Sequence, residues 1–183
     1  MTVAIDIDNV LNNLQEVVVN IFNERHGTNY NLNIFHDYDV ANALPMHEAT
    51  EMKDIYGESG LYDLVKPLVS AQDNVQKLIN SGHQVYLVTD AIPKTYGEKV
   101  DWVKHYFPFV DESHVISMSH KWLFKCDVMI EDNLHNLLTG HHYERICMNY
   151  PWNQKVEDWV YGIYRCNNWN DVMDAIDKIN ERE

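Results

Sequence analysis

Residues 3–11 read VAIDIDNVL, an apolar run that contains two aspartates one residue apart, Asp6 and Asp8. Successive side chains of a strand point to opposite faces, so the two acids share a face if the strand continues through them. At the carboxyl end of a buried strand they can instead converge beyond the sheet edge, where open α/β folds bind ligands. Carboxylates this close repel unless a cation or a shared proton relieves them. The run therefore predicts either a functional pair at a strand end or two solvated turn residues.

Beyond residue 68, short apolar strands alternate with helical patterns, which is typical of a parallel sheet. Helices are expected from a cap at Ser70, from Val100 to Phe107, from Leu134 to Leu138 and from Asp171 onwards. The fold class predicted is α/β, a Rossmann-like parallel five-stranded sheet with helices on both faces. The strands expected after the first lie at 85–88, 115–116, 128–130 and 145–148.

Residues 12–67 do not follow this alternation. A helix with apolar positions from Leu14 to Phe22 is expected to end at Gly27. The stretch after it resembles short helices at 39–44 and 47–56, broken by turns. We interpret residues 12–67 as a small helical insertion after the first strand, and residues 1–11 and 68–183 as the α/β core.

Composition restricts the class of protein and its partners. The 183 residues are 45% hydrophobic and suit one domain with an insertion. The formal net charge of −14 argues against a nucleic-acid polymer as partner. We expect neither a membrane span nor a secretory leader. The three cysteines, Cys126, Cys147 and Cys166, form no CxxC pair, which favours a reducing, cytoplasmic setting over a disulfide framework or zinc site. These features leave a homodimer open.

Three of the expected strands end in polar residues, at positions 6–8, 89–90 and 131–132, and Lys121 comes just before the fourth strand. In a parallel sheet all carboxyl ends lie on one edge, so these groups can meet. Carboxylates, a hydroxyl and an ammonium are a suitable set for phosphoryl transfer with Mg²⁺. Taken singly, each has a simpler interpretation as a turn, a solvated lysine or a helix cap. Their combination at one edge of the sheet favours a catalytic site over these simpler interpretations.

These residues resemble the four motifs of the haloacid dehalogenase (HAD) superfamily of phosphatases. Its motifs are a DxD, a Ser or Thr, a Lys and an acidic pair. Within the superfamily the chain is most similar to the 5'(3')-deoxyribonucleotidases, also called cytosolic type C 5'-nucleotidases. The similarity lies in residues 6–11, in residues 88–107 (VTDAIPKTYGEKVDWVKHYF) and in residues 127–133 (DVMIEDN).

The resemblance implies roles for individual residues. Asp6 would be the nucleophile and Asp8 the general acid and base. Mg²⁺ would be held by the Asp6 carboxylate, the Asp8 backbone carbonyl and Asp132. The resemblance also suggests a phosphate site and two residues supporting the metal ligands, which together are Thr89, Asp90, Lys94, Lys121, Glu131 and Asn133.

The chain departs from the family at three positions. Family members often have Gly where this chain has Asn9, and Ser where it has Asp90. Glu131 replaces the commoner Asp. An extra acid at position 90 would weaken phosphate binding or alter the choice of substrate.

By the same resemblance the insertion is a cap that closes over the active site, excludes water and confers specificity. Flat rings bind flat heterocycles, so four aromatic residues of the insertion are candidates to contact a nucleobase. The alternative is that they form the core of the cap. The candidates are Phe35, Tyr38, Tyr56 and Tyr62. The residues expected only to pack are Trp152, Trp159 and Trp169, and residues 149–153 are candidates for the far wall.

The function predicted is a Mg²⁺-dependent phosphomonoesterase for nucleoside monophosphates, preferably deoxyribonucleotides. A phosphatase of the same fold acting on sugar phosphates or other small esters is the nearest alternative. A non-catalytic binding module on this scaffold, or an enzyme that processes nucleic-acid ends, is a more distant one.

Overall fold

The strands of this protein form one parallel sheet in a computed structural model that describes residues 1–182. The last residue of the expected core, at position 183, lies outside the described residues. The strands are β1 (Thr2–Ile5), β2 (Gln84–Thr89), β3 (Val115–Ser117), β4 (Val128–Glu131), β5 (Glu144–Met148) and β6 (Ile163–Cys166). Their order across the sheet is β3-β2-β1-β4-β5-β6. The α/β class and the parallel sheet are confirmed.

The sheet has six strands, and the expectation of five was wrong. The strand that the sequence did not reveal is β6, which pairs in parallel with β5 at one edge of the sheet. It is four residues long and carries Arg165 at its third position. An edge strand of this length with a charge in it lacks the continuous apolar run of a buried strand, so its pattern resembles a loop.

Eight α-helices accompany the strands in the described part of the chain. They are α1 (Leu14–His26), α2 (Met46–Ile55), α3 (Leu61–Leu64), α4 (Ala71–Asn80), α5 (Tyr96–Tyr106), α6 (Leu134–Thr139), α7 (Asp158–Tyr161) and α8 (Trp169–Asn180). No helix within residues 1–182 is both long and apolar enough to cross a bilayer.

Two helix starts differ from expectation. Ser70 precedes α4 with a φ of 63° and makes no side-chain capping hydrogen bond. Helix α8 begins at Trp169, before Asp171, because the Asn168 side chain accepts hydrogen bonds from the backbone N–H groups of residues 170 and 171. Asn is a strong N-cap residue, and here it sets the first turn.

Residues 28–67, which we call the cap segment, contain helices α2 and α3 and short 3₁₀ turns at Leu32–Ile34 and Val40–Asn42. The second 3₁₀ turn replaces most of the helix expected over 39–44. The cap segment contacts α1 through hydrogen bonds such as Tyr30 N–H to Asn23 Oδ1 (2.8 Å). The division of the chain into a core and a cap over 12–67 remains a prediction.

The core is centred on β1, whose residues Val3 to Ile5 are fully buried. Ile5 is level with Leu87 of β2 and with Ile130 of β4. The residues that follow these positions therefore leave the sheet side by side at one edge. Of the three tryptophans expected to pack, Trp152 and Trp169 are buried, but Trp159 is 82% exposed on α7, so that expectation was wrong.

Candidate active site

Three buried carboxylates meet at the carboxyl edge of the central strands. Asp6 follows β1, Glu131 is the last residue of β4, and Asp132 comes next. One oxygen from each lies within 4.8 Å of the others. We call these three residues the carboxylate cluster. Their exposure is at most 4%, so the charges are almost entirely removed from water.

The ammonium of Lys121 contacts the carboxylate cluster directly. Its Nζ lies 2.7 Å from Asp6 Oδ2 and 2.8 Å from Glu131 Oε1. Lys121 begins a short 3₁₀ turn, Lys121–Leu123, between β3 and β4, and its side chain is buried. The placement agrees with the expectation that this lysine reaches the strand ends.

The pKa values of the cluster show that one cation does not balance three acids. Burial raises the pKa of Asp6 to about 7, and the charge of Glu131 adds to the shift although Lys121 opposes it. Burial and the neighbouring carboxylates raise the pKa of Asp132 well above its usual range. Burial opposes ionisation of Glu131 too, but Lys121 and hydrogen bonds lower its pKa to about 2.

The donor set of the cluster fits a divalent cation. Three carboxylates and one ammonium leave two negative charges when all are ionised. The available donors are all oxygen, the ligand type that Mg²⁺ and similar hard cations prefer. Lys121 contacts Asp6 and Glu131. The resemblance implies that the ion is held by Asp6 and Asp132 together with the Asp8 backbone carbonyl.

Three side chains from two parts of the chain orient Asp132. Its Oδ2 accepts hydrogen bonds from Trp152 Nε1 (3.2 Å) and Asn9 Nδ2 (3.3 Å). Its backbone carbonyl accepts one from Asn153 Nδ2 (2.9 Å). Trp152 therefore does more than pack, and of residues 149–153, expected as the far wall, it is the one that lines the cavity.

Asn9 stands where the resemblance leads us to expect glycine, and its backbone conformation suits both residue types. Its φ is 60°, in the left-handed region that Gly adopts freely and Asn tolerates better than most residues. The side chain adds contacts that glycine cannot make. Besides donating to Asp132, it accepts a hydrogen bond from the Gln15 backbone N–H in the first turn of α1 (2.9 Å).

Asp8 lies in a second group of polar residues, which we call the Asp8 group. Lys99 Nζ is 2.7 Å from Asp8 Oδ2, and it also donates to Thr89 Oγ1 (2.9 Å). The Tyr62 hydroxyl donates to Asp8 Oδ1 at 3.0 Å, and Asn12 Nδ2 donates to the same oxygen at 3.1 Å. The Asp8 side chain is 20% exposed, so this group remains accessible to a substrate.

Lys99 was missed by the sequence argument, which named Lys94 instead. Lys94 is exposed and does not line the cavity in front of the strand ends, so the structure does not bring it to the other candidates. Lys99 lies on the buried face of α5 with Trp102 and Val103. A lysine in register with the apolar face of a helix was the signal that could have identified it.

The remaining expected phosphate and supporting residues lie at the same edge. Thr89 is buried at the end of β2, and exposed Asp90 accepts a hydrogen bond from Ser119 Oγ (2.9 Å). The backbone N–H of Asn133 donates to Glu131 Oε2 (3.0 Å), while its side chain caps α6. Ser119 is a further residue that the sequence argument did not name.

A cavity of about 910 Å³ lies between these strand ends and the cap segment. Asp8, Lys99 and Asp90 are on its floor side, and the four aromatic residues expected to contact a base all line it. Phe35 is 2% exposed and packs edge-on against Trp152, whereas Tyr38 is 56% exposed. Those four residues are Phe35, Tyr38, Tyr56 and Tyr62.

Comparison with known families decides the assignment. Residues 1–182 match the model of the family described as "5' nucleotidase, deoxy (Pyrimidine), cytosolic type C protein". The chain belongs to this family. As a member it is a phosphoric monoester hydrolase with a HAD-type fold.

Individual relatives agree with the family. A Staphylococcus epidermidis protein named "Putative 5'(3')-deoxyribonucleotidase" is 32% identical over 133 residues, which are 72% of this chain and 73% of that protein. A Bacillus subtilis 5'(3')-deoxyribonucleotidase is 30% identical over 115 residues, 61% of this chain and 64% of that protein.

A solved structure shows the same fold. It is a haloacid dehalogenase-like hydrolase from Streptococcus pneumoniae, with a TM-score of 0.68 and 14% sequence identity. The match covers 96% of this chain and 97% of that one. The HAD-type α/β fold therefore extends over nearly the whole nucleotidase chain.

Proposed function

We propose that this nucleotidase is a Mg²⁺-dependent phosphomonoesterase that hydrolyses deoxyribonucleoside monophosphates through an aspartyl-phosphate. The observation that carries the proposal is the buried carboxylate cluster with Lys121, which faces the same strand edge as the Asp8 group. One group offers a nucleophile and a cation site, and the other offers a proton donor beside it. The names of the relatives support the substrate class.

In the first half of the reaction Asp6 attacks phosphorus and the ester P–O bond breaks. Asp8 donates a proton to the leaving alcohol oxygen. In the second half Asp8 accepts a proton from water, which attacks the acyl phosphate and releases Asp6 and inorganic phosphate. Asp8 suits this task because it is partly exposed to the cavity, whereas Asp6 is buried.

Lys121 and Thr89 are placed to hold the phosphoryl oxygens. The Lys121 ammonium lies beside the nucleophile, and the Thr89 hydroxyl is fixed by Lys99. Mg²⁺ bound by Asp6, the Asp8 carbonyl and Asp132 would offset the charge of the acids and of the phosphate. Asp90 adds a negative charge on the cavity side, which disfavours larger polyanionic substrates there.

The cap segment supports selectivity for a flat leaving group. Its aromatic residues form one wall of the cavity, and Trp152 of the core lies on the same cavity. A cavity of about 910 Å³ is large enough for a nucleoside, since the pockets that bind drug-sized ligands have volumes of about 300–1,000 Å³. We infer that the cap at 12–67 covers the site and excludes water during the reaction.

A substrate panel tests this function. Purified protein with Mg²⁺ is assayed for phosphate release from dUMP, dTMP, the matching ribonucleotides and several sugar phosphates. We expect the highest kcat/KM for a deoxyribonucleotide. A higher kcat/KM for a sugar phosphate would reassign the enzyme to the small-ester alternative, and no turnover of any ester would favour a binding module.

A further inference from the structure

Gln15 is a buried amide on the wall of the cavity. It lies in the first turn of α1 and is only 8% exposed. Its Oε1 accepts a hydrogen bond from the Tyr56 hydroxyl. Its Nε2 is buried and has no hydrogen-bond acceptor among residues 1–182, although the residue lines the cavity. A buried donor without a partner is rare in folded proteins and calls for a specific explanation.

The position of this amide is fixed from both sides. The Gln15 backbone N–H donates to Asn9 Oδ1 (2.9 Å), so the residue is tied to the loop that carries Asp6 and Asp8. Tyr56 follows α2 in the cap segment and holds the amide oxygen. Burial raises the pKa of Tyr56, so its hydroxyl stays protonated and donates to Oε1. With Oε1 occupied, Nε2 is the end of the amide that is left to bind a ligand.

The neighbours of Gln15 indicate which part of a ligand it meets. In the proposed function the phosphate end of the site already has Lys121 and Thr89 as donors. Gln15 of α1 and Tyr56 of the cap segment both line the cavity. In the proposed function this cavity receives the leaving group of the substrate. A neutral amide suits an uncharged acceptor there, because it carries no charge that could offset that of an anion.

We propose that Gln15 is a specificity-determining residue whose Nε2–H donates to an uncharged oxygen on the leaving group of the substrate. This inference rests on the proposed function and adds a polar contact to it. Two sources supply that chemistry in a nucleotide, a sugar hydroxyl or a base carbonyl. The substrates used in the test distinguish them.

The test compares Gln15→Met with wild type on dUMP, on 2-deoxyribose 5-phosphate and on phenyl phosphate. Methionine keeps the length of the side chain and removes the donor. We expect kcat/KM for dUMP to fall about tenfold, mainly through KM, because one neutral hydrogen bond to the substrate is lost. The leaving group of phenyl phosphate has no acceptor beyond the ester oxygen, so kcat/KM for this substrate should change by less than about twofold. Gln76→Met on α4 is the matched control, and circular dichroism checks that both variants fold.

The sugar substrate locates the acceptor. If Gln15→Met lowers kcat/KM for 2-deoxyribose 5-phosphate as much as for dUMP, the contact is to the sugar. If it lowers kcat/KM for dUMP alone, the contact is to the base. Gln15→Glu keeps the acceptor for Tyr56 but presents no donor. We therefore expect its kcat/KM for dUMP to fall at least as much as that of Gln15→Met.

Equal losses on dUMP and phenyl phosphate would show that Gln15 only supports the fold, and no loss on either would also overturn the proposal. If wild type hydrolyses phenyl phosphate and sugar phosphates but not dUMP, the proposed function fails independently. In that case the role of Gln15 is decided by the loss of kcat/KM in Gln15→Met. The loss measured with the best sugar phosphate is compared with the loss measured with phenyl phosphate.

Discussion

The two aspartates of the sequence Asp6-Ile7-Asp8 lie in groups built differently. Asp6 belongs to a cluster formed by core strand ends, in which three carboxylates face one ammonium. Asp8 belongs to a group that joins β1, α5 and the cap segment, in which Lys99 balances one carboxylate and Tyr62 donates a hydrogen bond to it. The first group has one positive charge for three carboxylates, whereas in the second one ammonium faces one carboxylate. This difference is why we propose a cation site at the carboxylate cluster and proton transfer at the Asp8 group.

The largest expected effect is that of Asp6→Asn. The amide cannot form the acyl phosphate, so we expect kcat to fall by at least about 10⁴-fold, as when other covalent nucleophiles are removed. The fold should remain intact, because the change removes one of three crowded carboxylates. Steady-state kinetics measures kcat, and thermal melting checks the fold. Near-normal turnover would contradict the aspartyl-phosphate mechanism.

Asp132→Asn tests the cation side of the comparison. Loss of one of the carboxylates should raise the Mg²⁺ concentration for half-maximal activity by at least about tenfold, with partial recovery at high Mg²⁺. Mg²⁺ titrations by activity and by calorimetry provide two independent readouts. An unchanged titration would exclude Asp132 as a ligand.

Lys99→Met tests the proton-transfer side. Without the Lys99 ammonium, Asp8 loses its ion pair. We expect kcat to fall about 100-fold, because a displaced general acid and base is inefficient. The Mg²⁺ requirement should stay near that of wild type, since Lys99 does not touch the carboxylate cluster. Tyr62→Phe, which removes a single hydrogen bond to Asp8, should cost less than about tenfold. If Lys99→Met shifted the Mg²⁺ titration as strongly as Asp132→Asn, the two groups would not be separate.

The smallest expected effect concerns stability against pH without metal. The pKa of Asp6 is raised to about 7, so between pH 4 and 7 the folded chain binds a proton that the unfolded chain has released. Stability from this group therefore falls as pH rises through that window. The pKa of Glu131 is lowered to about 2, so its contribution is lost as pH falls below about 4.

Together these shifts predict that the metal-free protein is most stable near pH 4–5. Its Tm should fall by several degrees towards pH 7, since about 1 kcal/mol changes Tm by roughly 2–4 °C in a domain of this size. Mg²⁺ should restore most of the loss at pH 7, because it favours the ionised carboxylates. Melting curves with EDTA or Mg²⁺ measure this, and Asp6→Asn should flatten the pH dependence in EDTA. A Tm that rose from pH 5 to 7 in EDTA would contradict the charge imbalance.

The two groups also differ in how far the sequence predicted them. Asp6 and Asp132 were predicted to lie together because parallel strands place their carboxyl ends on one edge, so a local pattern fixes a tertiary position. Lys121 was expected near them because it comes just before the fourth strand. Lys99 and the hydroxyl of Tyr62 were not assigned to Asp8, because their positions depend on how α5 and the cap segment pack. For the same reason the helix predicted from Leu14 to Phe22 gave no indication of a role for Gln15. Strand β6 was missed because it is short and lies at an edge.

A crystal structure with Mg²⁺ and BeF₃⁻, a mimic of the transferred phosphoryl group, tests the central claim most directly. We predict beryllium bonded to an oxygen of Asp6, Mg²⁺ between Asp6 and Asp132, and Lys121 and Thr89 on the fluorides. Beryllium on another side chain, or a metal bound away from the carboxylate cluster, would contradict it.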